Sequence, residues 1–98
     1  MSLSVYFLEP AEKEFLDAID FYNNESIGLG FEFAKEIQKS INLIIEYPLI
    51  WSKFSKNSRK CKCKRFPYNI IYSVVNSSII IVAIMHTSRK PNYWKSRI

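Results

Sequence analysis

No aspartate or glutamate occurs after Glu46. Residues 51–98 carry eleven lysines or arginines and no carboxylate, whereas residues 1–50 carry nine carboxylates against three lysines, so the net charge of +5 conceals an acidic half and a basic half. A surface built from the second half presents a positive field that no later side chain quenches, suited to phosphate groups or to an acidic protein partner. Long apolar runs are also missing. The longest, Ile79 to Met85, falls far short of the ~20 residues that span a bilayer. Met1 to Pro10 has no basic stretch ahead of an apolar one, so the expectation is a cytoplasmic protein with no membrane partner.

Glycine is scarce, at two residues, and with 48% apolar and 15% aromatic residues the composition excludes a disordered or low-complexity chain. Ninety-eight residues bury roughly 60–65% of the surface that the unfolded chain exposes. That leaves no room for a second core, and residues 1–98 are expected to form a single domain. Cysteine is limited to Cys61 and Cys63. Two apart on a strand, they leave the same face and make poor disulfide partners. A zinc site would need two further ligands, and His86 is the one histidine available, so no metal and no cofactor is expected.

The periodicity of what is present predicts an order of elements. Leu3 to Leu8 is a β-branched and aromatic run read as a first strand, ended by Pro10, which suits the first turn of a helix. Ala11, Phe15, Ala18, Ile19 and Tyr22 recur at helical spacing and predict a helix from about Ala11 to Asn24. Ser26 to Gly30 breaks it, and Ala34, Ile37, Ile41, Ile44 and Ile45 predict a second helix that ends where Pro48 forces Tyr47 out. After a polar, basic connection from Trp51 to Ser58 the period becomes two. Lys60, Lys62 and Lys64 then take one side of a strand, Cys61 and Cys63 the other.

Asn69 to Val75 and Ile79 to Met85 read as a hairpin across Asn76-Ser77-Ser78, the second strand apolar enough to be covered on both faces. The expected fold is α+β: an antiparallel sheet of about four strands against an N-terminal helical hairpin, in the order β-α-α-β-β-β. Ile37, Ile41, Ile44, Tyr72, Ile81 and Ala83 should be core. Glu12, Glu14, Asp17, Asp20, Glu32 and Glu36 fall mainly on exposed helix faces, where they serve solubility.

Chemistry concentrates in His86 to Arg97, where imidazole, guanidinium and phenol groups gather at one edge of the sheet. Bland readings stand beside each: Trp94 as a core anchor, Tyr93 as a packed ring with a wet hydroxyl, Lys90 and Lys95 as a solvated face. Arg89 and Arg97 lack any carboxylate nearby in sequence. Their partners are distant helix carboxylates, backbone carbonyls or an external anion, and the last is preferred because the planar fork of arginine suits phosphate or carboxylate.

Glu9-Pro10-Ala11, Phe21-Tyr22, Gly28 to Phe31, Pro48, Arg59, Arg65-Phe66-Pro67-Tyr68 with Tyr72, and above all His86, Arg89, Pro91, Tyr93, Trp94 and Arg97 form a set. Taken together and in this order, it resembles the RelE/ParE toxins of bacterial type II toxin–antitoxin modules, often called plasmid stabilisation proteins. The resemblance runs over nearly the whole chain and implies the fold read above, a growth-inhibiting toxin role and a cognate antitoxin encoded nearby, with any homo-oligomer arising within the antitoxin complex.

Two chemistries follow from the resemblance. A RelE-like toxin is a ribosome-dependent mRNA endonuclease that drives a 2′-hydroxyl onto the adjacent phosphate, which needs a base, an acid and stabilisation of the crowded phosphate. In that reading His86 or Tyr93 moves protons, and Lys62, Lys64, Arg65 and Arg89 hold the phosphate. A ParE-like toxin instead inhibits DNA gyrase by binding, and the expected target-binding residues are Lys62, Lys64, Arg65, Arg89, Lys90, Tyr93, Trp94 and Arg97. The helix hairpin and the His-x-x-Arg-x-Pro-x-Tyr-Trp ending look more like this branch. The glutamate base used by some RelE-like members has no counterpart after Glu46, and a histidine among cations loses affinity for its proton. A third reading is an inactive member that retains antitoxin binding.

Overall fold

The computed structural model describes residues 3–98. Its elements are β1 (Ser4–Phe7), α1 (Glu9–Glu25), α2 (Leu29–Glu46), β2 (Lys53–Ser55), β3 (Ser58–Lys62), β4 (Tyr68–Val75) and β5 (Ser78–His86), with a short 3-10 turn at Lys95–Arg97. The α+β architecture is the expected one, a helical hairpin packed on a sheet. The sheet has five strands rather than about four, in the order β1-β5-β4-β3-β2. Strands β2 to β5 form an antiparallel meander, while β1 runs parallel to β5. A parallel neighbour requires a long crossover, which the hairpin and meander between them supply. The additional strand, β2, comes from the connection read as polar loop, because Lys53-Phe54-Ser55 is too short and too polar to signal a strand without its partner β3.

Pro10 sits in the first turn of α1, where its missing N–H has no intrahelical partner to lose. The turn into α2 is tighter than expected. Gly28 adopts φ 85°, and helix resumes at Leu29. Gly30 therefore lies inside α2, buried against α1: a Cβ there would meet the Ile19 carbonyl oxygen and come within 2.6 Å of Asn23 Cγ. Its N–H donates to Asn23 Oδ1 at 2.8 Å, which ties the two helices beside the turn that joins them.

Core packing occupies both faces of the sheet. On the helical side Ala11, Ala18, Phe33, Ile37, Ile41 and Ile44 meet Ile70, Tyr72, Ile79, Ile81 and Ile84, together with Cys61 and Cys63. On the far side Ile71, Val82, Ala83 and Met85 are covered by Trp94 from the C-terminal segment. Each fully buried large apolar side chain contributes about 1.5–3 kcal/mol. All six expected core residues are buried. Both faces of β5 are covered, as its continuous apolarity predicts.

A bulge in β5 adjusts the two layers. Ile71 opposes Ala83 and Tyr72 opposes Ile81, so Val82 has no opposite number. Val82 and Ala83 thus both join the far layer, and Ile84 returns to the helical one. The cysteines are free, and burial pushes the Cys61 thiol up to about 11. Among the described residues no helix is long and apolar enough to cross a membrane.

Candidate functional site

β5 outruns its parallel neighbour. The last backbone bond on that side is from Leu8 N–H to the Ile81 carbonyl, at 3.0 Å. Beyond it the exposed edge of β5 is completed by side chains. Ile84 N–H donates to Glu14 Oε1 at 3.1 Å, and Arg97 Nη1 donates to the Val82 carbonyl, the bulged residue, at 3.0 Å.

Glu14 and Arg97 also meet each other directly, Nη1 to Oε1 at 2.9 Å and Nη2 to Oε2 at 3.0 Å, and the Tyr93 hydroxyl donates to Glu14 Oε2 at 2.7 Å. Four donors converge on one carboxylate whose side chain is 16% exposed. The hydrogen bond to Glu14 raises Arg97 above its ordinary value, against the opposing effect of burial. Burial and the same carboxylate raise the Tyr93 phenol well above its usual range.

This network decides between the readings of the C-terminal block. Arg97 takes an internal carboxylate rather than an external anion, because α1 brings Glu14 to it. The Tyr93 hydroxyl is a donor inside the network rather than a wet group. Trp94 is fully buried and packs at a tilt against Phe54, 5.5 Å between centroids, which makes it the core anchor and removes it from any contact surface. Arg65 is likewise paired, with Glu32 of α2, from a left-handed backbone conformation at φ 75°. That pair is half exposed, so it competes only weakly with water or an incoming anion.

Arg89, Lys62, Lys64 and Lys90 are exposed, and among the described residues none is paired with a carboxylate. Arg89 lies over the Tyr93 ring at 4.0 Å, a cation–π contact that holds it near the end of β5. The cations share one end of the sheet. Tyr68 pairs with His86, and Thr87 N–H donates to the Pro67 carbonyl at 2.8 Å, which brings the loop after β3 beside the turn after β5.

His86 packs edge-on against Tyr68, 5.1 Å between centroids, and its Nδ1 accepts the Ser88 N–H at 3.0 Å. In the neutral ring the proton therefore sits on Nε2. His86, Arg89, Tyr68, Phe21 and Asp17 line a groove of about 290 Å³ between α1 and this end of the sheet. Among the described residues no group of three or more His, Cys, Asp or Glu side chains is placed to hold a metal ion.

Glu14 is the centre of this network that the sequence does not single out, since it reads there as one of the solvated helix carboxylates. A signal was present. Glu14 lies three residues after Ala11 and four before Ala18, on the apolar stripe of α1 and not opposite it.

The architecture is thus a helical hairpin packed on a five-stranded sheet, with exposed cations gathered at one end by the segments that follow β3 and β5. The family description "ParE toxin of type II toxin-antitoxin system, parDE" matches residues 5–91, and the chain belongs to that family. Its fold is similar to that in the chromosomal ParDE toxin–antitoxin system of P. aeruginosa, with a TM-score of 0.77 at 13% identity over 88% of this chain and 97% of the other. It is also similar to E. coli toxin RelE carrying two arginine-to-alanine substitutions, in the free state, with a TM-score of 0.75 at 19% identity over 100% and 99%. The isolated E. coli RelE toxin aligns with a TM-score of 0.67 at 18% identity over 97% and 95%. No curated protein sequence gives a significant match. The protein is a toxin of the type II toxin–antitoxin class.

Proposed function

We propose that this toxin acts by binding DNA gyrase through the basic sheet end, without hydrolytic chemistry of its own, and that a cognate antitoxin encoded nearby neutralises it in the cytoplasm. The observation that carries the reading is the engagement of Tyr93, one of the two groups that would move protons, and of Arg97 in one carboxylate network. Cleavage by a 2′-hydroxyl needs a positioned acid and base around a stabilised phosphate. Tyr93 commits its proton to Glu14, and burial holds its phenol neutral. Arg97 is neutralised by the same carboxylate, whereas the half-exposed pair of Arg65 with Glu32 leaves Arg65 open to an incoming anion. Besides His86, what remains on the edge is Lys62, Lys64, Arg89 and Lys90, which is charge suited to steering and complementarity.

The nuclease reading keeps one supporting observation: His86 and Arg89 line the same groove, a base beside a phosphate grip. Antitoxin-free expression in bacteria, followed by separate assays of gyrase supercoiling and of ribosome-bound mRNA, distinguishes the two. Inhibited supercoiling with intact mRNA is expected. Cut mRNA with normal supercoiling would replace this reading with the RelE-like one, and no growth arrest, with supercoiling normal and mRNA intact, would leave an inactive antitoxin-binding member.

A further inference from the structure

The end of the sheet opposite the basic edge holds a second concavity, of about 430 Å³. It forms where the β2–β3 turn, the last residues of β4 and Leu49 after α2 come together. Strand β4 joins the two ends, and Tyr68 to Val75 at about 3.3 Å per residue sets them roughly 23 Å apart.

Part of its wall is apolar, with Val74, Val75, Ile80 and Ile98 beside Leu49, and the rest includes Lys53, Lys56 and Arg59. No side chain in the lining is a carboxylate, and among the described residues the main-chain carboxylate of Ile98 forms no ion pair with these cations. Arg59 is fixed by the carbonyls of Leu49 and Trp51, at 3.1 and 2.7 Å, and so shapes the site. Lys53 and Lys56 are exposed, and no ion pair holds either among the described residues. Leu49 and Val75 leave 64% and 51% of their surface in water. A lysine on an edge strand discourages edge-to-edge pairing. That explains Lys53, but neither Lys56 in the turn nor the apolar wall behind it. Apolar side chains ringed by unneutralised cations are the anatomy of an interface with a charged rim.

We infer that this concavity docks an acidic, partly apolar segment of the antitoxin, at a place separate from the target-binding edge. The existence of that partner rests on the toxin–antitoxin reading; the location and the chemistry rest on the charge and shape of the site. Exposed apolar side chains also occur on the helical hairpin, at Leu16, Phe21, Ile27 and Phe31. There they are interspersed with Glu12, Asp17, Asp20, Glu25 and Glu32, which repel an acidic segment. The volume lies near the lower end of the range for ligand pockets, about 300–1,000 Å³, so it takes a few side chains of an extended segment rather than a helix laid lengthwise.

The test compares the wild-type chain with the double variant Lys53→Glu, Lys56→Glu for binding to the purified product of the adjacent reading frame, at several salt concentrations. Both lysines are exposed, and circular dichroism checks that the variant folds. The double variant should bind about tenfold more weakly, mostly through slower association, with a flatter salt dependence. It should still arrest growth when expressed without antitoxin. If the wild-type chain binds no such product, the toxin–antitoxin reading fails and takes this inference with it. If the wild-type chain binds and the folded variant matches it in affinity and salt dependence, the partner reading stands and the site is refuted. Loss of growth arrest by the folded variant also refutes it, because the concavity would then serve the target.

Discussion

Glu14 and Arg97, 83 residues apart in sequence, face each other fork to fork at 2.9 and 3.0 Å, and each also takes a backbone group of β5 that has no strand partner. The pair is more than an ion pair on a surface. It substitutes for the missing continuation of β1, and it fastens the end of the chain to the first helix. Because Tyr93 donates to the same carboxylate and Arg89 rests on the Tyr93 ring, the placement of the exposed edge depends on it.

Removing either member strands the other in a largely dry site. Glu14→Ala and Arg97→Ala should each destabilise the fold by about 2–3 kcal/mol in urea unfolding. The double variant should cost about 1–2 kcal/mol less than the sum of the singles. Strictly additive losses would mean that the two side chains act independently.

Arg89 and Tyr93 separate binding from catalysis. Arg89→Glu, at an exposed position, should leave stability within about 0.5 kcal/mol of wild type and abolish growth arrest. Tyr93→Phe loses one hydrogen bond, should cost about 1 kcal/mol, and should stay toxic if no proton transfer is involved. A stable Tyr93→Phe protein that no longer arrests growth would favour the nuclease.

Alkali should unfold the protein from an identifiable direction. Burial is the first cause of raised values at Cys61, to about 11, at Tyr72, to about 12, and at Tyr22, Tyr68, Cys63 and Tyr93. In the unfolded chain these groups lose protons near their ordinary values of 9.0 for cysteine and 10.0 for tyrosine, so the native state then holds more protons than the unfolded one. Stability is complete below about pH 9 and falls as pH rises through that window, by about 1.4 kcal/mol per pH unit for each group so affected. Urea midpoints measured from pH 7 to 11 should show the decline, and the thiols should react with a disulfide reagent only on unfolding. A flat profile, or fast labelling of the native protein, would contradict the burial described.

The two glycines should respond unequally. Ala at position 28 meets open space and costs the left-handed penalty alone, about 1–2 kcal/mol. Ala at position 30 strikes the Ile19 carbonyl and Asn23, and overpacking of that kind costs about 1–3 kcal/mol and more where backbone must move. Thermal midpoints should place Gly30→Ala well below Gly28→Ala. The reverse order would mean that the helices separate easily at this crossing.

Periodicity made the helices and the meander legible. Ile37, Ile41 and Ile44 recur at helical spacing, and Cys61 and Cys63 alternate with Lys60 and Lys62, so side-chain direction follows from local sequence alone. β2 was not legible because its three residues are ordered by β3, and the parallel placement of β1 is a long-range choice that Ser4 to Phe7 do not encode. The basic end was visible as composition. Its internal wiring was not, since Arg97 and Arg65 find their carboxylates in helices far back along the chain, and nothing in the basic half announces which cations will be neutralised.

The parallel pairing of β1 with β5 also sets an order of events. A ribosome delivers β1 and the hairpin first, yet β1 has no neighbour until β5 emerges, and Glu14 has no fork to receive until Arg97 follows. Contacts between the two ends of a chain form slowly, because closing so long a loop precedes any reward for it. Lys62 and Lys64 are made before Arg89, Lys90 and the Arg97 that closes on Glu14, so cations precede the finished edge. The edge is in place only once Arg97 has closed on Glu14, after every element that it stands on has been made.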